Sequence, residues 1–284
     1  MYNLVQTGHS RRKQSKYAKK YFKKQVKVIH EILHSQPLDL TQAKIHELRV
    51  EIKKTKALFT LIACANSRFR KRKYFKPFRK LFDISGDVRC VQVEQELLKK
   101  YLTDEQDKYL DHLRHEEIEK SKALEELIQS KMITKLKDKN RKILPFLDAV
   151  TEKDIKRFLK KDAKKLSSLT ERKIFRERDL HVIRKRLKNF YFIAKSAYSH
   201  IVIPDPWNKL LELLGHWHDS QVSIEHLRKA IYVSSYNQSE IDRLYAVKQE
   251  LIVDREKIFD QISSTYSLIQ SKENRIKLPR NVPA

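Results

Sequence analysis

The scarcity of glycine is the feature that most limits what this chain can fold into. Its 284 residues include only three glycines and seven prolines, so few positions favour the tight turns that β-hairpins require. Between these positions, apolar residues recur every three to four residues, which is the period of an α-helix. We therefore predict an all-α fold with helices at about residues 10–35, 40–66, 70–85, 87–102 and 104–138, then 151–167, 170–200, 205–216, 218–234 and 237–271.

The same scarcity limits the kinds of ligand site. Gly8, Gly86 and Gly215 lie too far apart to form a P-loop or a dinucleotide-binding loop, so any phosphate is held mainly by side chains. Cys64 and Cys90 are too few for a cysteine-rich zinc site or a disulfide framework. Since both lie in apolar helical patterns, we predict that they are buried free thiols. The sequence indicates no metal site and no cofactor.

Positive charge is the second constraint. The chain has 62 Lys and Arg residues against 36 Asp and Glu, a formal net charge of +26. Such an excess repels itself in a compact state, so a polyanionic partner is its simplest explanation. Nucleic acid, an acidic membrane surface and inorganic polyphosphate all satisfy this requirement. Because the sequence has neither a run of about 20 apolar residues nor an apolar signal segment, we expect a cytoplasmic protein with no membrane partner.

The two halves of the sequence resemble each other. The segment from His46 to Lys56 has a counterpart from His181 to Tyr191, with a histidine, an arginine and a lysine at the same spacing. A second block at 85–93 resembles residues 214–222. Two matched blocks in the same order indicate an internal duplication, whose midpoint we place at 140–145. We predict halves at 1–145 and 146–284, packed about a pseudo-two-fold axis by analogy with symmetric oligomers.

Each matched block predicts a helix with a basic face and a separate apolar face. At about 100° per residue, basic residues three and four apart share one side of the helix, and an apolar stripe lies on another. Arg binds phosphate oxygens as a fork and Lys as a mobile point charge. Most single lysines on helices form a solvated face instead, and each histidine has an equally plausible structural role. The candidate phosphate-binding residues are Lys16, Lys20, Lys23, Lys27, His46, Arg49, Lys53, Lys54, Lys56, Arg79, Lys80, Arg89, Lys160, Lys164, His181, Arg184, Lys185 and Lys188.

These blocks resemble the CHAD family, the conserved-histidine α-helical domain. The family's H-x-L-R-V pattern is matched from His46 to Val50, and its second-half pattern from Leu180 to Lys188. The resemblance covers about residues 10–270. It implies two four-helix bundles related by pseudo-two-fold symmetry around a basic central cavity or groove, binding of inorganic polyphosphate, and association with polyphosphate granules. No acidic segment like that of the triphosphate-processing CYTH domain, which is often fused to the family, precedes residue 10. We therefore expect a binding module rather than an enzyme.

The sequence departs from the family pattern mainly in charge. Cys90 stands where the family has an aspartate that Asp219 retains in the second half. Asn189 and Tyr191 replace positions that are basic in the first half. These differences predict that the first half carries more of the ligand contact.

Other functional classes remain open from the sequence alone. A nucleic-acid-binding protein is the second choice, because clustered Lys and Arg suffice for nonspecific binding. It lacks a recognised reader motif, and Tyr17, Tyr21 and Tyr74 are the nearest candidates for a base-stacking surface. A phosphohydrolase would need an acidic metal cluster that the sequence does not display. A scaffold for acidic proteins is a weaker alternative.

Overall fold

The computed structural model describes residues 6–271 except 36–37, 39, 103–106, 171–176, 199–200, 202 and 233–235, and describes their side chains except at 6–17, 170 and 177. The described residues are helical with short links and include no strand, which confirms the predicted all-α fold. None of these helices is both long and apolar enough to span a bilayer. The helices are α1 (Gln6–Leu33), α2 (Gln42–Ala65), α3 (Lys71–Leu98), α4 (Lys108–Leu127), α5 (Ile133–Asp148), α6 (Glu152–Thr170), α7 (Glu177–Ala197), α8 (Asp205–Ile231) and α9 (Gln238–Gln270).

Two predicted helix breaks are wrong. Helix α3 runs through the predicted break at Gly86, and α8 runs through Gly215 and the predicted break at position 217, both without interruption. A glycine inside a helix costs only about 1 kcal/mol relative to alanine. Buried residues on either side, such as Leu81 and Val88 in α3 and Trp217 in α8, contribute more than that through packing. The helices therefore continue where the sequence suggests an end.

The region between the two halves also differs from expectation. The predicted helix at 104–138 bends at Ser130, which has φ −64° and ψ 176°. Helix α5 then continues through Pro145 to Asp148, so the expected midpoint lies inside a helix. Ile143 and Leu147 on this helix are fully buried, and their packing holds its last turn despite the proline. The link between α5 and α6 falls at 149–151.

The main hydrophobic core joins elements from both sides of the predicted midpoint. Leu48 and Ile52 on α2 and Ile183 and Leu187 on α7 are at most 1% exposed, which confirms their predicted apolar stripes. Helix α2 packs against α1, α3, α6 and α7. The core also takes in α5 and parts of α3 and α8. The two helices that carry the matched basic blocks, α2 and α7, are thus held directly against each other.

A second, smaller core lies at the far ends of α3 and α8, where they meet the starts of α4 and α9. A buried carboxylate links three of these helices. Glu94, which is 1% exposed, accepts a hydrogen bond of 2.7 Å from the Tyr109 hydroxyl and contacts Nδ1 of His226. The hydrogen bond to Glu94 raises the pKa of His226. Helices α3 and α8 therefore span both cores, which fixes their positions beside α2 and α7.

The two cysteines are free, and their surroundings differ. Cys64 is exposed, so the prediction that it is buried is wrong: it lies in the last turn of α2, just after the fully buried Ile62. Cys90 is half-buried on α3, and burial together with the nearby Glu94 raises the pKa of its thiol.

Candidate anion-binding site

The contact between α2 and α7 brings the basic faces of the two matched blocks together. Burial, together with Lys188, Arg49 and Arg184, lowers the pKa of Lys53 on α2 to about 7. Burial and Arg184 lower the pKa of Lys188 on α7 to about 8. Amino groups from opposite halves therefore share one partly desolvated environment. We define the central cluster as the residues around this contact that lie close enough to interact electrostatically. They are His46, Arg49, Lys53, Arg89, His181, Arg184, Lys188, His218 and Asp219.

Within the central cluster, Arg49 is tied to helix α3. Its Nη1 donates to the carbonyl oxygen of Phe82 at 2.5 Å and to the Ser85 hydroxyl at 3.4 Å. Its guanidinium carbon lies 4.1 Å from the centre of the Phe82 ring. Gly86 makes this approach possible, because a Cβ at that position would lie 2.6 Å from Nη1. Burial lowers the pKa of Arg49 to about 10, so it stays a cation at neutral pH. Its contacts with Phe82 and Ser85 indicate that it acts largely in the packing of α2 against α3.

Arg184 is the equivalent residue of the second half, and it is less engaged. Its Nε is buried without a hydrogen-bond partner among the described residues, as is Nη1 of Arg89 on α3. Both cations lie near Asp219 on α8, whose pKa is raised by burial against their opposing effect. A buried donor without a partner costs about 1–3 kcal/mol. An anion that accepts from these two groups would recover part of that cost.

The histidines of the central cluster are neutral at pH 7 in the free protein. His46 lies at the exposed edge, where partial desolvation and the cation of Arg89 lower its pKa. The His181 ring lies 5.4 Å from that of His218. Burial and Arg184 lower the pKa of His218 to about 4. His218 was absent from the sequence-based candidates; its alignment with Arg89 in the other half was the signal that could have found it.

The row of cations continues along α2 and α3 beyond the central cluster. Burial, Lys185 and Arg79 lower the pKa of Lys56. Burial and Lys56 lower that of Lys71, which also donates to the Thr60 hydroxyl at 2.6 Å. Lys71 is a second residue that the sequence-based candidates omit. The cations thus form an extended row rather than a single point.

Other sequence-predicted residues lie apart from this row. Lys54 forms an ion pair with the buried carboxylate of Glu51. Lys23 and Lys27 line a separate groove of about 600 Å³ between α1 and α5. Exposed positions on α1, α3 and α6 hold Lys20, Lys80, Lys160 and Lys164; the side chain of Lys16 lies outside the described residues.

A shallow and widely open cavity of about 390 Å³ lies between α7 and α8 beside Lys188 and Asp219. We call it the α7–α8 cavity. Over the chain as described, no three His, Cys, Asp or Glu side chains are grouped so that they could hold a metal ion. The polar residues that line the α7–α8 cavity include the cation Lys188, the amide of Asn208 and the carboxylates of Glu212 and Asp219.

Comparison with known proteins identifies a family and similar folds for this architecture. The profile of the CHAD domain family matches residues 27–228. No curated protein matches the sequence. The fold is similar to that of PptA from Streptomyces chartreusis, with a TM-score of 0.69 and 10% identity over 89% of this chain and 99% of that one. It is also similar to the CHAD domain from the plant Ricinus communis, with a TM-score of 0.65 and 11% identity over 91% and 93% of the two chains. At such low identity these structures show a shared fold.

Proposed function

This chain belongs to the CHAD domain family, and from that premise we propose that it is a non-catalytic module that binds inorganic polyphosphate on its central cluster. One observation carries the proposal. Lys53 on α2 and Arg184 and Lys188 on α7 meet in one partly desolvated place, and a buried guanidinium nitrogen there lacks a partner among the described residues. Association with polyphosphate granules is part of the same proposal.

The electrostatics of the free protein support a polyanionic ligand. Like charges and burial both penalise the protonated form of Lys53, which is why its pKa is about 7. A polyanion in the same place reverses the sign of the local field and contributes acceptor oxygens to the buried donors. A bound phosphate chain would thus offset the cost of charge repulsion and desolvation that these cations impose on the folded protein.

The extended shape of the row supports a chain of phosphates rather than one phosphate. The basic face of α2 from His46 to Lys56 spans ten residues, about 15 Å at the helical rise. Lys185 and Arg79 lie near its far end. Tyr74, a sequence candidate for stacking nucleic-acid bases, is itself stacked on Phe69 at a centroid distance of 4.9 Å. These features favour polyphosphate over single-stranded nucleic acid.

The test is calorimetric titration with polyphosphate of defined length and with single-stranded DNA of the same number of phosphates. We expect polyphosphate to bind at least about tenfold more tightly, and the Arg184→Gln, Lys188→Met double variant to lose at least about tenfold in affinity. The matched control is the Lys160→Met, Lys164→Met double variant, which removes two exposed cations from α6. It should change affinity little.

Two results would contradict the proposal. Equal losses in the two double variants would mean that net charge, not the central cluster, holds the ligand. Release of orthophosphate from polyphosphate in the presence of Mg²⁺ or Mn²⁺, above a blank without protein, would contradict the non-catalytic part.

A further inference from the structure

The α7–α8 cavity has a size and a lining that a bare phosphate chain does not explain. Its volume of about 390 Å³ lies within the range of small-molecule sites, roughly 300–1,000 Å³. Lys188 connects it to the central cluster, and Leu211 and the ring of Tyr191 contribute apolar wall. Asp219 and Glu212 also line it. Asp219 is shared with the central cluster, where Arg184, Lys188 and Arg89 lie near it. The additional carboxylate of Glu212 makes the cavity less favourable for phosphate than the rest of the row.

The polar groups of the cavity suit a sugar and a base. Carboxylates accept hydrogen bonds from ribose hydroxyls, as they do in dinucleotide-binding folds. Asn208 uses its amide nitrogen to donate to the Ile203 carbonyl at 3.3 Å. Its amide oxygen is left to accept a hydrogen bond from the exocyclic amino group of a base.

An aromatic wall completes the arrangement. Lys195 lies 4.3 Å above the centre of the Tyr191 ring and covers one face of it. Tyr191 is among the residues that line the cavity, and the uncovered part of its ring would be the surface for a base. Base–aromatic contacts of this kind are tolerant of base identity.

We propose that the α7–α8 cavity is a nucleoside subsite, so that the protein binds a nucleoside triphosphate with its phosphates on Lys188 and Arg184. The inference rests on the proposed function for its phosphate contacts and adds a second ligand class to the same cluster. The base and ribose would occupy a region that polyphosphate leaves empty.

Gly215 offers a way to close the cavity without disturbing the fold. It lines the cavity, and a Cβ built there would meet no heavy atom within 4 Å. Gly215→Leu therefore fills the cavity with a side chain that the helix tolerates. Gly215→Ala is the matched control, because it brings the same gain in helix propensity with little loss of cavity volume.

The experiment is titration of the full chain with ATP and with tripolyphosphate, both in EDTA. Tripolyphosphate carries at least as much charge, so a site built of cations alone prefers it. We expect the wild type to bind ATP at least about fivefold more tightly than tripolyphosphate, the lower end of what a base stack contributes. Gly215→Leu should abolish this preference while leaving tripolyphosphate affinity unchanged, and Gly215→Ala should retain it.

Three outcomes overturn the inference. If tripolyphosphate binds as tightly as ATP in the wild type, or if Gly215→Leu leaves the ATP preference intact, the nucleoside subsite is wrong while polyphosphate binding stands. If long-chain polyphosphate also fails to bind, the proposed function and the inference fall together.

Discussion

The two matched arginines, Arg49 on α2 and Arg184 on α7, occupy different environments although the sequence places them identically. Arg49 donates to the Phe82 carbonyl and lies against the face of α3 that Gly86 leaves open. Arg184 has a buried nitrogen with no partner in the described structure. The corresponding glycine of the second half, Gly215, faces open space.

This difference shows that a basic residue found at matching positions in both halves is not equally available to a ligand in both. In the first half the arginine has become part of the packing between α2 and α3, and its support comes from Phe82 rather than from an aspartate at position 90. In the second half Asp219 lies near Arg184, whose buried Nε has no hydrogen-bond partner among the described residues. We therefore expect the second half to carry the larger share of ligand contact, whereas counting charges along the sequence favours the first.

The largest expected effect separates the two arginines. Arg184→Gln should weaken polyphosphate binding at least about tenfold, because a neutral amide replaces neither the charge nor the fork. Arg49→Gln should lower the free energy of unfolding by about 1–3 kcal/mol through its lost charged hydrogen bond and change affinity less. Calorimetric titration and urea unfolding of both variants measure the two quantities.

The reverse pattern would break the comparison. If Arg49→Gln weakens binding more than Arg184→Gln does at unchanged stability, the first half holds the ligand and the contact with Phe82 is incidental.

A lysine that is kept partly desolvated in order to bind a ligand should lower the free energy of unfolding of the ligand-free protein. In the folded protein the pKa of Lys53 is about 7, below its unfolded value near 10.4, so the unfolded state binds more protons between these values. The free energy of unfolding should therefore rise as pH increases from about 7 to about 10. Lys53→Met should stabilise the free protein at pH 7, on the order of 1 kcal/mol, and flatten that rise.

Urea unfolding at pH 7 and pH 9.5 checks this. A Lys53→Met variant less stable than wild type at pH 7 would show that the amino group is satisfied rather than strained. The matched variant is Lys160→Met, an exposed lysine on α6, which should leave both stability and its pH dependence nearly unchanged.

A further effect is expected in the pH dependence of binding. Polyphosphate raises the pKa of Lys53 and Lys188 from about 7 and about 8, so binding takes up protons. Affinity should rise at least about tenfold as pH falls from about 9 to about 6 and level off below, where both amino groups are protonated in the free protein. The His46→Gln, His181→Gln variant should keep this dependence, because both histidine pKa values are lowered and titrate at more acidic pH.

Calorimetry in buffers of different ionisation enthalpy measures the proton uptake directly. If the double histidine variant loses that uptake and the Lys53→Met, Lys188→Met variant keeps it, the groups that take up protons on binding are the histidines and not the lysines.

The last comparison sets the two glycines against each other through stability alone. Gly215→Ala should stabilise the protein by roughly 0.5–1 kcal/mol, since it adds helix propensity in open space. Gly86→Ala brings the same propensity, yet its Cβ displaces Arg49 from Phe82 and forfeits about 1–3 kcal/mol of hydrogen bonding. Thermal unfolding should place Gly86→Ala below Gly215→Ala by about that amount; equal shifts would contradict the close contact of Arg49 with α3.

Helical periodicity and the matched blocks are enough to predict the all-α fold and the presence of apolar faces on α2 and α7, but not every helix boundary. The continuity of α3 and α8 through Gly86 and Gly215 was not predictable, because it depends on burial on both sides of each glycine. The ion pair between Glu51 and Lys54 was visible as a spacing of three residues, and it is a signal that the count of basic residues overlooks.

Positions of single cations needed the tertiary structure. Which groove the lysines of α1 line depends on how α5 packs. Lys23 and Lys27 lie in the groove between α1 and α5 rather than with Lys53. The sequence also directs attention to the histidines as the groups that titrate near neutral pH. Only burial, which the fold creates, brings Lys53 into that range.

The most direct test of polyphosphate binding by the central cluster is the salt dependence of the binding constant, in wild type and in the Lys53→Met, Arg184→Gln, Lys188→Met triple variant. For single-stranded polyanions each neutralised phosphate contributes a slope of about −0.7 in log K against log salt. We predict a wild-type slope of several negative units and a slope about two units shallower in the triple variant. A flat wild-type response, or the same slope in both proteins, would contradict the account.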